Sequence, residues 1–226
     1  AKYKDFIAVM NGLQKEGFII NTLLLEFIKK NRPTLEKEGL LMPSFLINVN
    51  LMKSIDHLRA YYYQNDEIKK ASNLDKLISD FAVMVQKARF EELILQIASA
   101  YDQYVFYLPA FVDFRGRIYR CGILHFHERD LSKSLLLFAK SNVNNNNDKD
   151  KHKKEDIISS AAAFKYKKFT NYDEALQWNK DKEKVISASD DTLINFAKDA
   201  SNPFQFIAKV LSKKRFTELN IRDNGI

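Results

Sequence analysis

The sequence predicts a mainly α-helical protein with a small β element, that is, an α+β fold. Two observations lead to this class. Most of the 226 residues lie in segments whose apolar side chains recur every three or four positions, which is the period of a helix facing a core. One stretch around residues 104–126 differs, because aromatic and β-branched residues dominate it and indicate short strands.

The N-terminal region predicts two helices. Residues 3–14 carry apolar side chains at helical spacing, and "EGFIIN" then interrupts the pattern. Asn21 is suited to cap a second helix that runs through Lys30. Pro33 lies just beyond that end, where a helix cannot continue.

The next region predicts an antiparallel helical hairpin. A connector with Gly39 and Pro43 leads into two long helical patterns, about 50–69 and 74–103, joined around "KKASN". Asn73 is a suitable start for the second helix. Basic residues decorate both helices, and charge alone favours the interpretation that they lie on solvated faces.

The second half predicts short strands, one helix, a loop and more helices. The segment "DLSKSLLLFAKS" is expected to be helical with Asp130 as its N-cap. Residues 141–154 are low in complexity and predict a mobile surface loop. The remaining helices are expected at about 155–166, around "NYDEALQWNK", at 190–199 after a cap at Ser189 or Asp190, and at 203–215.

Composition narrows the possible functions. The formal net charge of +7 leans weakly toward a polyanionic partner, such as nucleic acid or an acidic membrane surface. Cys121 is the only cysteine, which excludes a disulfide framework and a cysteine-rich zinc site. No run of about 18 apolar residues is present, so we expect no membrane-spanning segment. Asn, Lys, Ile, Phe and Tyr have AT-rich codons, and their abundance suggests an organellar or plasmid gene.

The densest candidate site is "DFRGRIY", residues 113–119. Two guanidiniums, Arg115 and Arg117, would share a face of extended chain and could grip neighbouring phosphates. Gly116 permits a turn or a close approach to a ligand. Asp113 could pair with one arginine, and Tyr119 offers a ring to a base or sugar. The alternative is a structural cluster of salt bridges at a β-bend.

Two other clusters suggest metal ligands less strongly. His125 and His127 lie two apart on a predicted strand, but a third ligand would have to be Glu128 or Asp130, so surface histidines are favoured. The acidic pair in "SDDT", residues 189–192, is better suited to capping a helix than to binding a metal.

Four segments in order resemble the single-subunit DNA-directed RNA polymerases of the phage and mitochondrial type. "DFRGRIY" is similar to their Asp-x-x-Gly-Arg motif, and "DLSKSLLLFAK" to the lysine-bearing helix that follows it. "NGLQKEGFIIN" and "NPFQFIAKVL" are similar to an upstream and a downstream segment. These four landmarks extend from residue 11 to residue 211. Ser134 stands where the family often has glycine, and Phe18 and Phe114 stand at positions of tryptophan.

The resemblance implies an internal segment of a polymerase. Residues 1–43 would lead into the thumb, 44–103 would form its helical hairpin, and 104–226 would form the early palm. The catalytic aspartates that bind Mg²⁺ are expected beyond Ile226, so this chain alone would bind no Mg²⁺ and synthesise no RNA.

The resemblance also implies the ligands. DNA template, RNA product and ribonucleoside triphosphates would be the partners of a complete enzyme that is monomeric and mitochondrial and does not associate with a membrane. The nucleic-acid-binding residues would be Asp113, Arg115, Gly116, Arg117, Tyr119 and Lys133. Lys133 would contact the hybrid or the nucleotide phosphates. The alternative is that it is simply an exposed lysine on a helix. Two alternatives stay open: a non-enzymatic basic helical module that binds nucleic acid, and a purely structural helical domain.

Overall fold

A computed structural model describes residues 2–140 and 148–223 and shows eleven α-helices and five short strands within them. The helices are α1 (Lys2–Gln14), α2 (Thr22–Lys30), α3 (Arg32–Lys37), α4 (Leu51–Gln64), α5 (Asp66–Ala71), α6 (Leu74–Tyr101), α7 (Asp130–Ser134), α8 (Asp148–Tyr166), α9 (Tyr172–Ile186), α10 (Asp190–Ala197) and α11 (Pro203–Asp223). The strands are β1 (Gly17–Ile20), β2 (Phe106–Tyr107), β3 (Ala110–Val112), β4 (Ile118–Arg120) and β5 (Leu136–Phe138). The predicted class, mainly α with a small β element, is confirmed.

The N-terminal helices lie where their apolar spacing and caps predict them. Asn21 precedes α2 and accepts a hydrogen bond from the backbone N–H of Leu24 at 3.3 Å, as a helix N-cap does. Two features were not predicted. The interruption between the helices is strand β1, and Pro33 lies near the start of the short helix α3 rather than in a connector, since proline is tolerated in the first turn.

Helices α4 and α6 form the predicted helical hairpin, with one difference. The first arm is broken at Asn65 into α4 and α5, and the hydroxyl of Tyr62 donates to the carbonyl of Ser72 across that break at 3.1 Å. Asn73 caps α6 as predicted and accepts from the Asp75 N–H. A small separate core of Leu46, Val85 and Ala88 lies at the base of the hairpin.

The β element consists of two separate antiparallel sheets. The larger has the strand order β2-β1-β5, so strand β1 from the N-terminal region is its centre. The smaller is the β3–β4 hairpin, in which Phe111 lies opposite Tyr119 and Val112 opposite Ile118. The larger sheet joins residues far apart in sequence, because Phe18 pairs with both Phe106 and Phe138.

The segment after residue 129 corrects two sequence predictions. The helix α7 ends at Ser134, and the apolar run that follows forms strand β5 because it pairs with β1. Asp130 is the first residue of α7 and not its cap, since Arg129 holds the cap position.

The C-terminal half is a helical layer in which α8, α9 and α11 pack on one another. Helix α8 begins at Asp148, so residues 148–154 are helical rather than a loop, whereas 141–147 lie outside the described residues. The loop prediction weighed only low complexity and the lack of apolar residues, although lysine, which occupies four of the seven positions at 148–154, is a good helix former. The buried face of α11 includes Phe206 and Ile207, both fully buried.

One main core unites the N-terminal helix α2, the larger sheet and the C-terminal helices. Its fully buried members include Leu24, Leu25, Ile28, Leu135 and Phe206. Among the described residues, no helix is long and apolar enough to cross a membrane.

Candidate nucleic-acid interface

Hydrogen bonds connect the first sequence landmark, residues 11–21, to the β3–β4 hairpin. The side-chain oxygen of Gln14 accepts from the backbone N–H of Ala110 at 3.1 Å. The carbonyl of Leu13 accepts from the guanidinium of Arg120 at 2.8 Å. The hairpin therefore rests on the C-terminal end of α1, which fixes where its turn projects.

The same landmark also holds the segment that carries Lys133. The backbone N–H of Asn21 donates to the carbonyl of Leu135 at 2.8 Å, and its side-chain amide donates to the carbonyl of Ser134 at 3.3 Å. Asn21 is buried, and its other side-chain atom caps α2. One asparagine thus joins α2 to the end of α7.

Asp130 attaches the fourth landmark to the third. Its carboxylate accepts from the backbone N–H groups of Phe204 and Gln205, at 2.6 and 3.3 Å, and from the side-chain amide of Gln205 at 2.8 Å. The residue expected to cap its own helix therefore caps α11, where a negative charge is favoured by the helix dipole. The first, third and fourth landmarks are consequently joined directly by hydrogen bonds, and the second lies in the β3–β4 hairpin, which bonds to the first.

Asp113 shapes the turn of the β3–β4 hairpin through the backbone. Its carboxylate oxygen Oδ1 accepts from the backbone N–H of Arg115 at 2.9 Å and from that of Arg117 at 2.8 Å. Gly116 has φ of +79°, a left-handed conformation that favours glycine, and its N–H donates to the Asp113 carbonyl. The prediction that Asp113 pairs with a guanidinium is wrong, because both contacts are to backbone N–H groups.

The turn leaves two guanidiniums exposed. Within the described ranges, no carboxylate lies within ion-pair distance of Arg115 or Arg117. The salt-bridge cluster considered as an alternative is therefore absent there. The neighbouring Phe114 ring is 92% exposed, and the Arg115 guanidinium lies 5.1 Å from its centroid. Residue 115 lies in the turn, so the shared face expected for extended chain does not apply.

Arg120 differs from the other two arginines because it is buried. Its guanidinium donates to the carbonyls of Leu108 at 2.7 Å and Leu13 at 2.8 Å and lies about equally far from the rings of Phe18 and Phe126. Burial lowers the pKa of Arg120, and the nearby Glu16 carboxylate opposes that shift. An arginine stays charged after such a shift, so this cation is structural.

The aromatic side of the hairpin includes Tyr119. Its ring stacks on Phe111, with 5.5 Å between centroids, and meets the edge of His127 at 6.4 Å. His125 bonds to the backbone N–H of His127 through Nδ1 and lies 3.5 Å from Glu128. Among the described residues, no three potential ligand side chains converge on a common point that could hold a metal ion.

Lys133 lies on the exposed side of α7, between two buried serines. Ser134, which replaces the glycine common in the resembled family, is buried and donates to the Leu131 carbonyl at 2.7 Å. The serine therefore fits the fold without displacing Lys133. Lys133 lines a cleft that residues of α8 and α11 also line.

Comparisons with known proteins agree with the resemblance to DNA-directed RNA polymerases. A protein from Zea mays with the name "Probable DNA-directed RNA polymerase" is 31% identical over 222 residues, which is 94% of this chain and 20% of that protein. A protein of the same name from Podospora anserina is 26% identical over 230 residues, 98% of this chain and 21% of its own length.

Along nearly its whole length, this chain is similar to one segment of proteins named as probable DNA-directed RNA polymerases. It spans about a fifth of the length of these two curated relatives. A third relative of the same name, from Agaricus bitorquis, is 47% identical over 47 residues, which is 20% of this chain and 4% of that protein. No family model matches the chain.

The acidic pair at 190–191 has a structural role. Asp190 accepts from Lys30 at 2.9 Å and from Asn31 at 3.2 Å, and Asp191 accepts from Thr34 at 3.0 Å. Burial acts to raise the pKa of Asp190, but the bonds from Lys30 and Asn31 outweigh it, and the pKa is lowered. Ser189 caps α10, as one of the two predicted alternatives had it.

Sequence reasoning missed the residues that join the landmarks to one another. Gln14, Asn21 and Asp130 each bond across 74 to 113 residues, and none was assigned that role. The available signal was that each lies inside one of the four landmarks. A polar residue within a motif can form a structural hydrogen bond to another motif instead of binding a ligand.

Proposed function

We propose that this chain is part of a DNA-directed RNA polymerase of the single-subunit type and that the turn at 113–117 holds the backbone of the template or the RNA–DNA hybrid. One observation carries the proposal: the turn presents two exposed guanidiniums on a backbone fixed by Asp113, and no carboxylate of the described residues pairs with them. The relatives named as probable DNA-directed RNA polymerases supply the nucleic-acid context. Lys133 would add a third contact, as the resemblance implies.

The chemistry of these groups suits a grip that does not depend on sequence. A guanidinium forms two parallel, charge-assisted hydrogen bonds with a phosphate, and phosphate contacts carry no base information. A polymerase must hold every template it copies, so such contacts fit the task. Phe114 and the Tyr119–Phe111 stack add apolar ring surface beside the cations, which sequence-tolerant stacking on a base or sugar could use.

Catalysis is proposed to lie outside these residues. The resemblance places the catalytic aspartates and their Mg²⁺ ions C-terminal to the "NPFQF" helix. The acids described here do not fit such a site, because Asp113, Asp130 and Asp190 each accept hydrogen bonds from separate parts of the fold. We therefore assign no chemical step to this chain. A mitochondrial location and a monomeric complete enzyme remain part of the proposal.

The test is binding of a fluorescent RNA–DNA scaffold to the chain across a salt series. We compare the original chain with the double variant Arg115→Ala/Arg117→Ala. Loss of two phosphate contacts should weaken binding about tenfold or more at low salt. It should also flatten the slope of log K against log salt by roughly 1.8.

A matched control removes a charge from another surface. Lys182 on α9 is exposed and has no ion pair within the described ranges, and Lys182→Ala should change affinity only slightly. If the double variant binds the scaffold with the same affinity and the same salt slope as the original chain, the arginines of the turn do not contact the nucleic acid. RNA extension by the pure chain would contradict the assignment of catalysis elsewhere.

A further inference from the structure

A second basic feature is a cleft between α7, α8 and α11. Its volume is about 290 Å³, and one lysine from each helix lines it: Lys133, Lys165 and Lys209. Lys133 is exposed, and the other two are half-buried. Sequence reasoning singled out only Lys133, because the other two are brought near it by the fold.

The three walls of this lysine cleft are fixed to one another. Asp130 on α7 bonds to the first turn of α11, as described above. The backbone N–H of Asn202 donates to the carbonyl of Lys165 at 3.0 Å, and that of Ser201 donates to Tyr166 at 2.8 Å. These bonds join the end of α8 to the start of α11. The lysines are therefore carried by backbones with fixed relative positions.

The cleft has unbalanced positive charge. Within the described part of the chain, no acidic residue lines it and none of its three lysines forms an ion pair. The carboxylate nearest to Lys133 in the sequence, that of Asp130, is occupied by three donors of α11. Polar groups of Gln205 and Ser212 also line the cleft. Three ammonium groups around one small space repel one another unless an anion joins them.

We propose that the lysine cleft binds a phosphate-bearing anion and that the occupied form holds a short run of phosphate groups. A cleft of 290 Å³ is at the small end for ligand sites and suits a di- or triphosphate moiety better than a whole nucleotide. The inference that the ligand is an anion depends only on the residues that line the cleft. Its source, a nucleotide or a nucleic-acid backbone, rests on the proposed function.

Calorimetric titration with inorganic tripolyphosphate tests the anion site. The variants are Lys165→Gln, Lys209→Gln and the pair, with Lys182→Gln as the matched control on α9. We expect each cleft substitution to weaken binding about fivefold and the pair more than tenfold, while Lys182→Gln leaves it unchanged. Without ligand, the cleft variants should be as stable in urea as the original chain or slightly more stable, since repulsion is relieved.

A second arm identifies the source of the phosphate. A 12-nucleotide RNA with a 5′-hydroxyl is added as a competitor. Displacement of tripolyphosphate assigns the cleft to nucleic-acid backbone, and the absence of displacement assigns it to nucleotide phosphates. No saturable tripolyphosphate binding, or binding that the Lys165→Gln/Lys209→Gln variant retains, overturns the proposal.

The outcome is separable from that of the turn. The Arg115→Ala/Arg117→Ala variant should bind tripolyphosphate as the original chain does. If the arginine variant keeps its affinity for the scaffold and the lysine variants lose affinity for tripolyphosphate, the proposed role of the turn is wrong and the proposed anion site in the cleft is supported. The opposite pair of results would contradict the anion site and support the role of the turn.

Discussion

The tip and the base of the β3–β4 hairpin hold the same residue type in opposite environments. At the tip, Arg115 and Arg117 are exposed and have no acidic partner within the described ranges. At the base, Arg120 is 6% exposed and satisfies two backbone carbonyls between two aromatic rings. Charge density in a sequence therefore does not identify ligand-binding cations, because burial and partners decide which arginine remains available.

The largest expected effect that sharpens this comparison is on stability. Arg120→Ala removes both donors from the carbonyls of Leu13 and Leu108 and should lower the free energy of unfolding by about 3 kcal/mol. Urea unfolding measures it. Arg115→Ala is the matched control and should change stability by less than about 0.5 kcal/mol. Equal losses in the two variants would erase the distinction between tip and base.

A smaller effect is expected on binding at the tip. Arg117→Ala should weaken scaffold binding about tenfold, or about 1.4 kcal/mol, without changing stability. Arg117→Lys should recover only part of the loss, because an ammonium keeps the charge but lacks the planar fork. Full recovery of scaffold affinity in Arg117→Lys would show that charge alone matters. Unchanged scaffold affinity in Arg117→Ala would show that the Arg117 side chain does not contribute to binding.

Asp113 tests whether the tip needs its fixed backbone. Asp113→Ala removes an acceptor from two N–H groups and should cost about 1 kcal/mol of stability, together with some scaffold affinity. Asp113→Asn keeps an oxygen at the same position and should retain most of both. Paired urea and scaffold measurements check it. If Asp113→Asn loses as much stability and scaffold affinity as Asp113→Ala, the negative charge of Asp113 matters rather than its hydrogen bonds in the turn.

The smallest expected effect is a pH dependence of stability that arises from His125, near the β3–β4 hairpin. Burial lowers the pKa of His125, Glu128 opposes the shift, and His127 adds to it. The unfolded chain thus binds more protons once the pH falls through the ordinary histidine value near 6.5, so stability should decrease between about pH 7 and pH 5. His125→Asn should make that decrease shallower in urea titrations at each pH. An identical slope would show that His125 does not contribute.

Local features of the sequence predicted the helices well. The caps at Asn21 and Asn73 and the three-four spacing of α2 and α6 depend only on neighbouring residues, so they could be read directly. Strands β1 and β5 could not, because a short apolar run becomes a strand only when a partner strand from elsewhere pairs with it. The same limit explains the excess helix predicted beyond Ser134.

The candidate site was predictable in residue type but not in role. The glycine and the exposed arginines of the turn follow from the motif. Asp113 was placed correctly, yet its partners are backbone groups that only the closed turn presents. The lysine cleft could not be predicted, since Lys133, Lys165 and Lys209 are brought together by bonds between elements that are distant in the chain.

The bonds among the four landmarks also set the order in which the protein can form during synthesis. The partners of Asn21, Leu13 and Gln14 lie 113, 107 and 96 residues further along the chain. At about 5–20 residues per second, a ribosome leaves strand β1 without its β5 partner for roughly 6–24 s. Phe18 and Ile20, buried in the finished fold, stay accessible during that interval. We expect slow non-local closure of this kind to leave these apolar residues open to chaperones that shield apolar segments.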